Sequence, residues 1–121
     1  MKIRHYEETF SVCKVRDYSG VNLRDDFVFI GKTDEELSLV CLTGRVPDNT
    51  TERNDGWKMM RIEGALDFSL IGILSGISAL LAEQRIGIFA VSTFNTDYIL
   101  VKEENEKKAL QALETAGYQI V

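Results

Sequence analysis

The order of elements written into Ile62–Val101 constrains this chain more than any other feature. IEGALDFSLIGILSGISALLAEQRIGIFAVSTFNTDYILV reads as strand, short acidic turn, apolar helix with small residues, strand, polar turn and strand. A helix entered from a strand through a short turn presents its N-terminus beside strand ends. The N–H groups of that first turn lack intrahelical partners and carry partial positive charge, which suits a small anionic or zwitterionic ligand. The pattern points to a sensor rather than a catalyst.

The flanking residues extend this order into a fold. Trp57–Glu63 alternates as a strand, with Lys58, Met60 and Ile62 on one face, and Gly64 ends it. Leu70, Ile73, Leu74, Ile77, Leu80 and Leu81 recur at helical spacing, which predicts a helix ending near Arg85. Gly72, Gly76 and Ala79 form a small-residue stripe beside that apolar face. The stripe either admits a second helix or lets this one sit low on its own sheet. Ile86–Thr93 is almost wholly apolar, and Phe94-Asn95-Thr96-Asp97 supplies the turn that reverses it into Tyr98–Lys102. Glu103, Glu104 and Glu106 open a second helix that buries Ala109, Leu110, Leu113 and Ala116 and stops at Gly117. Tyr118–Val121 is a last strand. Strand, helix, strand, strand, helix, strand is the α+β, ferredoxin-like βαββαβ sandwich, with both helices on one face of an antiparallel sheet.

The first half echoes the second. Phe27–Lys32, the turn Thr33-Asp34-Glu35-Glu36 and Leu37–Thr43 repeat the pattern of Ile88–Val101, and Phe10–Val15 would lead that copy. The link Arg16–Asp26 has too few apolar positions for an amphipathic helix, and Arg45–Gly56 reads as a solvated loop. The expectation is a tandem: a shortened N-terminal unit over residues 1–56 and a complete unit over 57–121.

Bulk properties narrow the function. The chain has 121 residues, 45% of them apolar and one a proline, enough for a packed core. Its net charge of −5 disfavours phosphate neutralisation and hence a nucleic-acid partner. MKIRHYEETF has no continuous apolar core of the secretory type, so a cytoplasmic address is expected. The longest apolar run, Leu70–Ala82, falls short of the roughly 20 residues that cross a bilayer, so no membrane partner is expected. Cys13 and Cys41 lie in separate strand-like runs, where free thiols pack as small hydrophobes. No metal-ligand spacing, cofactor motif or catalytic signature occurs, and the lone His5 has no evident partner.

The stretch EGALDFSLIGILSGISALLAEQRIGIFAVSTFNTDYILVKEEN resembles the ACT-domain regulatory family, and within it the small tandem ACT-like branch that includes the cytosolic arginine sensors. IFAVSTFNTDYILV is similar to that branch's second and third strands with their connecting turn. The resemblance implies an amino-acid effector held between two ACT-like units. One side of the site would be the turn Asp67, Phe68, Ser69, Leu70, Ile71 and Gly72, with the family's acid and glycine at Asp67 and Gly72. The other side would be Ser92, Thr93, Phe94, Asn95 and Asp97 of a neighbouring unit. N–H groups at Leu70–Gly72 would take the carboxylate, and Asp67 or Asp97 the ammonium. The same residues have ordinary roles: Asp67 and Ser69 as helix caps, Asn95 and Asp97 as turn formers. An open apolar sheet face would favour a homodimer. The rival reading is a protein–protein interaction module that binds no small molecule.

Overall fold

A computed structural model describes residues 1–63 and 72–121. It divides into two compact units: Met1–Glu7 with Lys58–Val121, and Glu8–Trp57. Strand β5 contributes its first part to one unit and its last part to the other.

The larger unit holds β1 (Lys2–His5), the end of β5 (Thr50–Ile62), α1 (Ile73–Glu83), β6 (Ile88–Ser92), β7 (Asp97–Lys102), α2 (Glu106–Thr115) and β8 (Gln119–Ile120). Its strands pair in the order β6-β7-β5-β1-β8. This is the expected βαββαβ order with one addition: β1 lies between β5 and β8, antiparallel to the first and parallel to the second. The sheet is therefore mixed rather than purely antiparallel. Lys2–His5 escapes a periodicity reading because so short a strand buries only Ile3 fully. Backbone bonds hold it, with Glu63 N–H donating to the Lys2 carbonyl at 2.9 Å and Val121 N–H to the Ile3 carbonyl at 2.8 Å.

Alternation directs Ile3, Met60, Ile62, Ile99 and Val101 toward the helices, where they pack with Ile77, Leu81, Ala109 and Leu113 in one cluster. Helix α1 runs from Ile73; Leu70, where its apolar spacing begins, lies outside the described residues. Gly72 is its N-cap, in the left-handed region at φ 85°, a conformation that favours glycine. Helix α2 ends as its sequence predicts: Gly117 takes φ 103°, and Tyr118 N–H closes on the Leu113 carbonyl at 3.0 Å.

In the smaller unit β3 (Phe29–Lys32), β4 (Leu37–Leu42), β2 (Phe10–Val15) and the first part of β5 pair antiparallel in that order. The segment expected as a solvated loop, Arg45–Gly56, is thus half strand: β5 begins at Thr50. Its first six residues give no apolar pattern because all but Thr50 are exposed, and the ladder to β2 alone defines them. A register shift between Phe10↔Trp57 and Val12↔Asn54, with Gly56 at φ 81°, marks a bulge. The link from Arg16 to Asp26 is irregular, as its composition predicts.

The two hairpins share their turn chemistry. In both, four residues separate the paired ends, Lys32↔Leu37 and Ser92↔Asp97. In both, a threonine opens the turn: Thr33 N–H donates to the Glu36 carbonyl at 3.0 Å, and Thr93 N–H to the Thr96 carbonyl at 2.9 Å. A 3₁₀ turn follows each second strand, at Thr43–Arg45 and Glu103–Asn105.

Cys13 and Cys41 are buried free thiols in the core of the smaller unit. Burial, with the neighbouring Cys13 thiol adding to it, pushes Cys41 up from 9.0 to about 11, and burial raises Cys13 as well. In the unfolded chain these thiols ionise near pH 9, whereas the folded chain keeps them protonated. The contribution of Cys41 is therefore full below pH 9 and is lost as pH climbs from 9 toward 11, and that of Cys13 is lost likewise as pH rises above 9. We expect Cys41 of the native protein, read in a Cys13→Ser background at pH 8, to react with an aromatic disulfide reagent roughly 100-fold more slowly than in the urea-unfolded chain, from thiolate fraction alone. Equal rates would contradict the burial.

Among the described residues no helix is long and apolar enough to cross a membrane.

Candidate functional site

Strand β5 ends at Ile62, and after Glu63 the next described residue is Gly72, the N-cap of α1. The Thr96 hydroxyl donates to the Ile62 carbonyl at 2.7 Å in a buried bond. That bond ties the β6–β7 turn to the strand end from which the chain departs for α1. The turn is further fixed by the Thr93 hydroxyl on the Thr96 carbonyl at 2.9 Å, and Ser92 Oγ donates to Asp97 Oδ1 at 2.6 Å. Phe94, 80% exposed, and exposed Asn95 form the tip.

Of the residues predicted to hold a ligand, Asp67, Phe68, Ser69, Leu70 and Ile71 lie outside the described residues. Gly72 is the exposed N-cap of α1, and no side chain caps the helix from that position. The first-turn N–H groups of Ile73 to Ser75 lack intrahelical acceptors; of the predicted donors Leu70 to Gly72, the first two lie outside the described residues. Ser92, Thr93, Phe94, Asn95 and Asp97 stand together at one end of the sheet. Ser92 and Asp97 are a cross-strand pair on the helix-facing side, in step with Ile99 and Val101.

The opposite side of the same sheet carries a polar group that periodicity did not reveal. Arg4 on β1 and Arg61 on β5 are directly opposed in the ladder. Glu63 takes hydrogen bonds from both: Arg4 Nε donates to Oε1, and Arg61 Nη2 donates to its two oxygens at 3.0 and 3.2 Å. Arg61 also lies over the Tyr6 ring, 5.8 Å from its centre, and donates to Tyr98. Hydrogen bonds from Arg4 and then Arg61 hold the Glu63 carboxyl below its ordinary range. The alternation of Arg61 and Glu63 was visible in the sequence; their partner Arg4 was not, because its strand was not.

The smaller unit holds a cleft of about 470 Å³ lined by Ser19, Gly20, Asp25, Arg45, Asp48 and Asn49 among others. Its Arg45 forks onto Asp25 at 2.7 and 3.1 Å, so these opposite charges satisfy each other. Among the described residues no three His, Cys, Asp or Glu side chains gather as a metal ion requires.

A sheet backed by two helices in the βαββαβ order is the ferredoxin-like class of α+β fold. Residues 52–115, more than half of the sequence, match the ACT-domain family model, and the chain belongs to the ACT-domain family. Residues 8–49 match a second model, described as an N-terminal domain. Over 66 residues the chain is 35% identical to the human protein described as cytosolic arginine sensor for mTORC1 subunit 1, covering 54% of this chain and 20% of that one. It thus spans about a fifth of the length of that relative. A crystal structure from Agobacterium tumefaciens superposes with a TM-score of 0.85 at 29% identity, covering 99% of this chain and 91% of that one. The ligand-free regulatory subunit of aspartate kinase from Thermus thermophilus gives 0.63 at 11% identity, covering 97% and 98%, a likeness of fold alone.

Proposed function

We propose that this chain is a non-catalytic regulatory protein that binds an amino acid or similar small effector at an interface between ACT-like units. Residues 1–56 would be the degenerate unit and 57–121 the complete one, working in the cytoplasm as a homodimer. The observation that carries the reading is the Thr96–Ile62 hydrogen bond, which brings the hairpin tip to the strand end leading into the helix. Those are the two segments that a ligand between ACT-like units would touch. Membership of the family supports it, as does the relative whose name describes arginine sensing.

The test is a thermal-shift screen of the free amino acids on protein shown by mass spectrometry to carry none over. A ligand at 100 times its dissociation constant should stabilise the fold by about 2.7 kcal/mol. Asp67→Ala and Asp97→Asn should each diminish that shift while leaving the ligand-free melting point nearly unchanged. If no amino acid shifts the melt, the interaction-module reading takes its place.

A further inference from the structure

Arg4 and Arg61 face each other directly across the β1–β5 ladder. Like charges so placed repel, and one carboxylate, Glu63, lies between them. The three groups sum to one positive charge on a chain whose net charge is −5. They are not sealed in: the Arg4 side chain is 47% exposed, Arg61 30% and Glu63 21%. Arg4 commits its Nε to Glu63, while a guanidinium carries five N–H donors in a flat fork suited to a second carboxylate. Arg61 is set in orientation by the Tyr6 ring, by Tyr98 and by Glu63. The group is therefore a fixed guanidinium, a half-exposed guanidinium and a carboxylate within reach of both.

This is the complement of an amino acid with an acidic side chain. Its ammonium finds Glu63, its two carboxylates find the two guanidiniums, and its charge of −1 cancels the local +1. A neutral amino acid leaves one guanidinium unanswered, and a cationic one adds to the excess. We infer a second site, on the side of the sheet away from the helices and apart from the interface site, where Arg4, Arg61 and Glu63 bind an acidic amino acid, aspartate or glutamate. The inference goes beyond the interface reading and adds a site with its own class of ligand.

Titration calorimetry on the full chain tests it, with L-glutamate, L-aspartate, L-glutamine, L-asparagine, L-arginine, succinate and inorganic phosphate as probes. The acidic amino acids should bind at least roughly tenfold more tightly than their amides, and Arg4→Gln and Arg61→Gln should each weaken them at least roughly tenfold. Arg4 is half-exposed, so its variant should fold even if the Arg61 variant does not. Glutamate should outbind succinate in the wild type, and Glu63→Gln should abolish that preference by removing the partner of the ammonium. Equal or better binding of glutamine, asparagine or arginine, weakened by Arg4→Gln, overturns the inference and leaves the interface site standing. Glutamate binding unaffected by Arg4→Gln overturns the location. Phosphate or succinate matching glutamate reduces the group to a general anion patch and overturns the class. Silence from every amino acid brings down both this inference and the interface reading.

Discussion

Leu81→Ala is expected to lower the stability of the larger unit by about 3 kcal/mol, within the range for emptying a fully buried leucine site. Leu81 is wholly inaccessible in the last turns of α1, in the same cluster as Ile62 of β5, Ile99 and Val101 of β7, and Leu113 of α2. The loss has two parts: transfer of the removed carbons, and the cavity that a sheet and two helices cannot collapse to fill. Native stabilities run to roughly 5–15 kcal/mol, so this one substitution removes a large fraction. Urea unfolding followed by circular dichroism measures it, with Leu80→Ala as the comparison. Leu80 is only half-buried at the edge of that cluster and should lose distinctly less. A Leu81 variant as stable as the Leu80 variant would mean that α1 does not seat on the sheet as described.

The same packing explains what the sequence could reveal. Ile77, Leu81, Ala109 and Leu113 recur at helical spacing because one stripe of each helix is buried, and that regularity is what a periodicity reading detects. The β6–β7 hairpin was equally legible, since an apolar run meets turn-forming residues. Two strands could not be assigned that way. Lys2–His5 alternates polar and apolar residues too briefly to mark a strand and is defined by backbone bonds to β5 and β8, while the first part of β5 is polar and exposed and has no apolar period.

The site divides along the same line. Ser92 and Asp97 could be placed at a turn from composition alone, because a hairpin brings its own neighbours together. Arg4 and Glu63 are 59 residues apart and meet only because β1 enters the sheet beside β5. No local pattern encodes a pairing across that separation. The start of α1 fell between these cases. Apolar spacing located the helix, but the left-handed Gly72 fixed its first residue, and Gly72 had equally been part of a small-residue stripe.

In the smaller unit the largest effect should come from Phe10→Ala, a loss of about 4 kcal/mol, typical of truncating a buried aromatic ring. Phe10 is completely buried in β2, and its ring meets Phe27 edge-on, with centres 5.6 Å apart at 90°. Such a pair adds roughly 0.5–1.5 kcal/mol to the area it buries. Phe27 adopts φ 60°, a left-handed conformation that a bulky residue tolerates only when its surroundings hold it there. Removing the Phe10 ring withdraws one of those constraints, so the segment before β3 should loosen along with the core. Phe10→Leu keeps most of the volume and should lose less than half as much. Hydrogen exchange separates the two consequences: in Phe10→Ala the amides of Val28 and Phe29 should exchange faster relative to wild type than those of Ile99 and Leu100 in the larger unit. A variant that keeps wild-type stability, or that loosens Ile99 and Leu100 as much as Val28 and Phe29, would show that this ring pair does not anchor the unit in which it lies.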